Sequence, residues 1–277
     1  MSYYKMLEKF SNQSGNILCF GLDPVIEKIP SEIEGSIKQR IVKFYSSIIQ
    51  QAGNRVKILK PNYAFFAQYG IEGIFALKEL IDSYKESHLI ILDAKRADIA
   101  NTSKAYVKEI FEFFGAHATT IWPFMGSDSV EPFLTYCLNN SAGAYILCRT
   151  SNPSAEEFFA KRFDGQFLYE YIAQKAQQWA ELYPQSVGLV VGATAPEDLE
   201  NILKQLKTPL SLLIPGVGKQ GGDAKKIMQI LKEYRMERLS VINVSSSISY
   251  EYINSGQDYL TSALEQIKKY SEMVKLD

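Results

Sequence analysis

The chain has 277 residues, 46% hydrophobic and 22% charged, with 30 Lys and Arg against 31 Asp and Glu. This is ordinary globular composition, which excludes disordered and low-complexity classes. A balance so near neutral, with no basic run, excludes the electrostatic footprint of a nucleic-acid binder.

No apolar stretch approaches the roughly 18 residues of a membrane span. Residues 1–10 lack the apolar core of a signal peptide, so a cytoplasmic protein is expected. Cys19, Cys137 and Cys148 are too widely spaced for a disulfide framework or a CxxC metal motif, and are expected to be core packing. Two histidines leave little material for a His-rich metal site.

Along the chain, short apolar runs rich in β-formers alternate with longer helical patterns. Strands are predicted at 16–22, 56–60, 89–93, 118–121, 144–148, 187–191, 210–214 and 240–244. Helices are predicted at 36–52, 65–84, 101–114, 128–139, 165–183, 196–206, 222–234 and 257–274. Two helix starts carry entry signals. Thr194-Ala-Pro-Glu-Asp supplies an N-cap, an early proline and first-turn acids. Gly126-Ser-Asp-Ser-Val-Glu131 supplies a Ser or Asp cap with Glu131 near the capping-box position. Eight β/α units in a chain of this length are the arithmetic of a (β/α)8 barrel. The competing doubly wound sheet announces itself with G-x-G-x-x-G after the first strand. Here that turn reads Phe20-Gly-Leu-Asp-Pro24. No Pro-, Gly- or Ser-rich linker divides the chain, so one domain over 1–277 is expected.

A barrel carries its active site at the C-terminal ends of its strands. The predicted ends are rich in polar groups: Asp23, Lys60 with Asn62, Asp93-Ala-Lys-Arg-Ala-Asp98, Arg149-Thr-Ser-Asn-Pro153, Gly192-Ala-Thr194, Pro215 to Asp223, and Asn243 with Ser245-Ser-Ser247. The strongest cluster is Asp93-x-Lys95-x-x-Asp98, with Lys60 one strand away. Residues i and i+2 of a strand face the same way, so Asp93 and Lys95 can both enter the site. Alternating Lys and Asp hold each other ionised. Such an array suits a reaction that builds negative charge on carbon, where an ammonium stabilises the charge and then donates a proton. Elsewhere in a fold the same spacing would be a surface salt-bridge network.

The second signal is Ile214-Pro-Gly-Val-Gly-Lys-Gln-Gly-Gly222. Glycines such as Gly218 and Gly221 let backbone approach a ligand, and a loop after the seventh strand is the usual phosphate position of a barrel. The bland alternative is a tight turn. Ser151 and Asn152 either meet a substrate or shape the turn before Pro153, and Asp23-Pro24 is equally open. His88 and His117 precede their strands at the bottom face and are expected to be structural. Tyr63-Ala-Phe-Phe66 is expected to pack the barrel wall.

Several strings occur in one order: Gly21-Leu-Asp-Pro24, Lys60-Pro-Asn-Tyr-Ala-Phe-Phe66, Ile91-Leu-Asp-Ala-Lys-Arg-Ala-Asp-Ile99, Pro123-Phe-Met-Gly-Ser-Asp-Ser129, Cys148-Arg-Thr-Ser-Asn-Pro153, Val191-Gly-Ala-Thr194 and Ile214 to Asp223. Together they resemble the orotidine 5'-phosphate decarboxylase family in its bacterial type 2 form, across nearly the whole chain. The resemblance implies a (β/α)8 barrel that converts orotidine 5'-phosphate to uridine 5'-phosphate without metal or organic cofactor. It implies that Lys95 protonates C6 of the pyrimidine, that Asp93 faces the departing carboxylate, and that Lys60 orients Asp93 and contacts the ribose. Asp98 and Thr102 would reach a neighbouring subunit's site, making a homodimer. Asp23 would bind ribose hydroxyls, Ser151 the pyrimidine, and Gln220 would bridge towards the phosphate.

One departure stands out. The family pattern after the eighth strand is approximately Asn-Ser-Ser-Arg-x-Ile, its arginine gripping phosphate. This chain reads Asn243-Val-Ser-Ser-Ser-Ile248, with Ser246 in the arginine's place. Serine cannot replace a bidentate guanidinium. Three explanations stand side by side: Lys219 or another cation substitutes, phosphate binding is weakened, or the position was altered deliberately. A smaller departure is Ala97, where glycine is common. Two other functions compete: a Mg2+-using sugar-phosphate decarboxylase or aldolase on the same scaffold, and a non-catalytic nucleotide-binding relative.

Overall fold

A computed structural model describes residues 1–277. Eight parallel strands close into a barrel in chain order. They are β1 (Leu18–Leu22), β2 (Ile58–Pro61), β3 (Leu89–Arg96), β4 (Ala118–Ile121), β5 (Gly143–Arg149), β6 (Val187–Val191), β7 (Ser211–Ile214) and β8 (Ser240–Val244). β8 returns to β1 with Leu18 opposite Ile242, which closes the ring. The predicted (β/α)8 barrel is the observed fold.

Strand alternation divides the apolar residues between two cores. One parity, including Phe20, Leu59, Ile90, Leu92 and Ile146, packs outward against the helices. The other, including Cys19, Ile58, Leu89, Ile91, Ala118, Tyr145, Leu147, Val190, Leu213 and Val241, fills the barrel interior.

A helix that the sequence reading did not predict, Tyr3–Ser14, closes the bottom of the barrel. Ser2 caps it, and its Tyr3, Tyr4, Leu7 and Phe10 join the interior core. The Tyr3 hydroxyl meets that of Tyr145 at 2.8 Å. Tyr4 donates to the Val187 carbonyl at 2.5 Å and accepts from the Ser211 N–H at 3.0 Å. The residues 1–10 that lack a signal-peptide core are thus a structural plug.

Other boundaries move for local reasons. The helix expected at 65–84 is two, Tyr63–Ala67 and Gly70–Tyr84, because Gly70 turns the chain at φ 62°. That expected at 101–114 runs as α-helix over Ala100–Val107 and as π-helix over Lys108–Phe114. That expected from 165 begins at Leu168, after a short hairpin pairing Arg162–Phe163 with Gln166–Phe167. Asp164 and Gly165 both have positive φ at its tip, as an Asp-Gly hairpin turn requires.

Both expected side-chain caps are corrected. Ala195 precedes the helix Pro196–Gln205, and Thr194 instead donates to the Ser151 carbonyl at 3.1 Å. Gly126 precedes the helix Ser127–Asn140 with no side-chain cap, so neither Ser127 nor Asp128 serves as one.

The expectations for the cysteines and histidines hold. Cys19, Cys137 and Cys148 are buried free thiols. His117 Nδ1 accepts the Ile90 N–H at 3.0 Å, and His88 Nδ1 meets Ser87 Oγ at 2.8 Å. Burial pushes His88 down to about 4, keeping it neutral. Phe66 packs into the wall as expected, but Tyr63 lies over the guanidinium of Arg96.

Candidate active site

Following the interior parity upward along each strand leads into the site. Cys19 is followed by Gly21 and Asp23, Ile58 by Lys60, and Ile91 by Asp93 and Lys95. Ala118 is followed by Thr120, and Val241 by Asn243 and Ser245. The side chains above the apolar layer are therefore polar. They line a cavity of about 350 Å3 whose floor includes Leu147, Val190 and Leu213. Gly21 is needed in this layer, because a Cβ there would stand 1.8 Å from Ser245 Oγ.

Asp93 is the centre of the charged array. Its Oδ2 accepts from Lys60 Nζ at 2.8 Å, and its Oδ1 accepts from Lys95 Nζ at 2.6 Å and Thr120 Oγ1 at 2.8 Å. Burial works against its ionised form, but the Lys60 and Lys95 ammoniums win and hold the carboxyl well below its usual range. Burial likewise works against the Lys60 ammonium, and Asp93 and Asp23 outweigh it and raise Lys60 above its usual range. The two lysines differ in access: the Lys60 side chain is 4% exposed and that of Lys95 is 50% exposed. Of these two, Lys95 is the one a ligand can touch.

Lys95 has φ 45°, uncommon for a residue with a side chain. Its backbone N–H donates to Thr120 Oγ1 at 3.0 Å. The next residue is held firmly. Arg96 makes hydrogen bonds of 2.8–3.1 Å to Glu109, and its guanidinium lies 4.3 Å from the ring centre of Tyr63 and 4.6 Å from that of Tyr106. The β3–β4 register shifts between Leu92 and Arg96, where the strand bulges to aim these side chains.

Asp23 and Asn243 stand on neighbouring strands at the cavity. Asp23 Oδ1 and Asn243 Oδ1 are buried without a hydrogen-bond partner. Burial pushes the Asp23 carboxyl up, with Lys60 opposing. Buried acceptors without donors suit a ligand that brings hydroxyl groups.

Of the residues singled out in sequence, Asp23, Lys60, Asp93, Lys95, Ser151, Gln220 and Ser246 line this one cavity. Asp98 does not join the array of its own chain. Its Oδ1 accepts the N–H of Ile99 at 2.8 Å, and Thr102 is exposed outside the cavity. Gly218 and Gly221 also lie outside the lining. The Gly221 N–H donates to the Gly218 carbonyl at 2.9 Å and is thereby used within the turn. Both glycines have positive φ, and a Cβ on Gly218 would approach Ser247 Oγ to 2.5 Å. They shape the loop, and Lys219 and Gln220 between them reach the cavity. Thr120 is the member the sequence reading missed. Its signal was parity, two residues beyond an inward Ala118.

Arg149, buried at the end of β5, turns away from the cavity. Its Nε donates to Asp198 at 2.7 Å and it pairs with Glu156, fixing the segment that carries Ser151.

Comparison with known proteins matches residues 16–258 to the orotidine 5'-phosphate decarboxylase/HUMPS family. The chain belongs to that family. Orotidine 5'-phosphate decarboxylase of Albidiferax ferrireducens is 38% identical over 95% of this chain and 94% of the relative. The decarboxylase of Thermomicrobium roseum is 40% identical over 82% and 79%. Among solved structures, Leishmania donovani OMP decarboxylase superposes with a TM-score of 0.77 at 30% identity, covering 99% of this chain and 98% of that one. Leishmania donovani UMP synthase matches with a TM-score of 0.79 at 32% identity, and this chain spans 56% of its length. The Asp93, Lys95 and Lys60 array of this family member thus sits in the polar cavity at the strand ends.

Proposed function

We propose that the protein decarboxylates orotidine 5'-phosphate to uridine 5'-phosphate and CO2, as a cytoplasmic homodimer without metal or organic cofactor. The observation that carries this reading is the half-exposed Lys95 ammonium bonded at 2.6 Å to the buried Asp93 carboxylate. The pyrimidine carboxylate enters beside Asp93, and the like charge disfavours the bound ground state more than the transition state. The bond from C6 to the carboxylate breaks, CO2 departs, and the electron pair stays on C6. The Lys95 ammonium stabilises that pair and transfers a proton to C6, then recovers one from solvent. Lys60 keeps Asp93 ionised and oriented. Asp23 and Asn243 take up ribose hydroxyls on their empty acceptor atoms. Ser151 and Gln220 meet the base and the span towards the phosphate. Asp98 and Thr102 serve the site of a second copy.

The test is a continuous ultraviolet assay of orotidine 5'-phosphate with EDTA present. Turnover is expected, and Lys95→Ala is expected to lower kcat by about 100-fold or more while UMP still binds. Near-normal kcat in that variant would remove the proton-donor role. Loss of wild-type activity in EDTA, restored by Mg2+, would favour a sugar-phosphate reaction instead.

A further inference from the structure

Five charged side chains line the cavity: Asp23, Asp93, Lys60, Lys95 and Lys219. At the β1–β3 end, two ammoniums and two carboxylates cancel. Both ammoniums there are bonded to Asp93, at 2.8 and 2.6 Å. Lys219 forms none of the chain's ion pairs. With three ammoniums against two carboxylates in the lining, it is the cavity's surplus positive charge.

Its place is defined. Hydrogen bonds from Gly221 N to the Gly218 carbonyl (2.9 Å) and from Gly222 N to the Gly216 carbonyl (3.0 Å) close the loop after β7. The Lys219 N–H donates to Ser247 Oγ at 3.1 Å, tying that loop to the segment after β8. Ser246 lines the cavity from this second segment and carries no charge.

We propose that Lys219 is the residue that holds the phosphate monoester of the substrate, its charge arriving from the β7 loop instead of position 246. The inference rests on the decarboxylase reading and deepens it. A phosphate dianion brought into a cavity with two carboxylates needs an uncancelled cation, and only Lys219 supplies one. An ammonium on a flexible stem is a point charge without the fork of a guanidinium. The preference for phosphorylated ligands therefore rests on one salt-sensitive contact.

The experiment compares wild type, Lys219→Ala and Lys219→Arg in two ratios. One is kcat/KM for orotidine 5'-phosphate over that for orotidine. The other is the calorimetric affinity for UMP over that for uridine. Lys219→Ala is expected to lower both ratios about 10- to 100-fold, the worth of a hydrogen bond to a charged group. Lys219→Arg is expected to keep most of each. Ratios unchanged in Lys219→Ala, or equal losses on phosphorylated and unphosphorylated ligands, overturn the assignment. The two readings fail separately. A wild type that prefers UMP but does not turn over orotidine 5'-phosphate removes the reaction, and the lysine stands if Lys219→Ala erases the preference. A wild type that turns over substrate with no preference for UMP over uridine removes the lysine alone.

Discussion

The hydroxyl of Thr120 donates to Asp93 Oδ1 at 2.8 Å, and its oxygen accepts the backbone N–H of Lys95 at 3.0 Å. One side chain on β4 thus holds both the Asp93 carboxylate and the backbone of Lys95 on β3. Thr120→Val keeps the shape and removes both bonds. The carboxylate loses a donor and the Lys95 N–H loses its acceptor. We expect kcat/KM to fall about 10- to 100-fold, from the worth of a hydrogen bond to a charged group. Steady-state kinetics of Thr120→Ser and Thr120→Val decide it. A valine variant as active as the serine variant would reduce Thr120 to packing.

Arg96, the chain neighbour of Lys95, is anchored by Glu109, Tyr63 and Tyr106. Releasing that anchor frees the backbone beside the positive-φ lysine. Arg96→Ala is expected to lower kcat about 10- to 100-fold, the cost of misplacing a reacting group by about an ångström. UMP affinity should change far less. Equal losses in kcat and in UMP affinity would mean a general disturbance of the site.

Asp93 and Asp23 have opposite pH signatures. Asp93 is held below its usual range, so its contribution to stability is present above about 3.9, the ordinary aspartate value, and is lost as pH falls through its depressed folded value. Asp23 is raised, so its contribution is present below that ordinary value and is lost as pH rises through its raised folded value. Urea midpoints against pH test this. Asp93→Asn should cost on the order of 3–5 kcal/mol at neutral pH, because Lys60 keeps its charge without a partner. The loss should shrink in acid. Asp23→Asn should gain stability relative to wild type as pH rises from acid to neutral. Parallel pH curves for wild type and both variants would contradict the assignment.

The N-terminal helix is a test of stability apart from catalysis. Leu7 is fully buried in the barrel interior. Leu7→Ala should cost about 2–5 kcal/mol. Tyr4→Phe leaves the buried Ser211 N–H unpaired and should cost about 1–3 kcal/mol. KM should stay put in both, since the helix lies at the opposite end from the cavity. Denaturant titration beside kinetics measures the two effects, and unchanged midpoints would remove the plug from the stability account.

The proposed homodimer makes a complementation prediction. Lys95→Ala and Asp98→Ala should each be weak alone. Mixed and allowed to exchange, they should recover roughly a quarter of wild-type activity, because half the dimers are mixed and each mixed dimer carries one intact site. No recovery despite subunit exchange by mass spectrometry would mean that Asp98 serves no neighbouring site.

The barrel was legible because each strand is a short run of β-formers and each connection a longer helical pattern. Polar strand ends at Asp23, Lys60 and Asp93 pointed to the site on the same basis. The N-terminal helix was not legible as part of the core. Its Tyr3, Tyr4, Leu7 and Phe10 make an amphipathic face whose partner is the floor of a barrel not yet formed. The break at Gly70 and the hairpin at Asp164-Gly165 carried local signals that the longer helical periodicity masked.

By itself the sequence determined the eight alternating units, the family, and the identity of the charged residues at the strand ends. These depend on local propensity and on residue order. The tertiary structure alone decided which alternate residues face inward, because parity acquires a direction only when the ring closes. Closure placed Thr120 on Asp93 and left Lys219 as the cavity's uncancelled charge. Each of these depends on distances between strands remote in sequence.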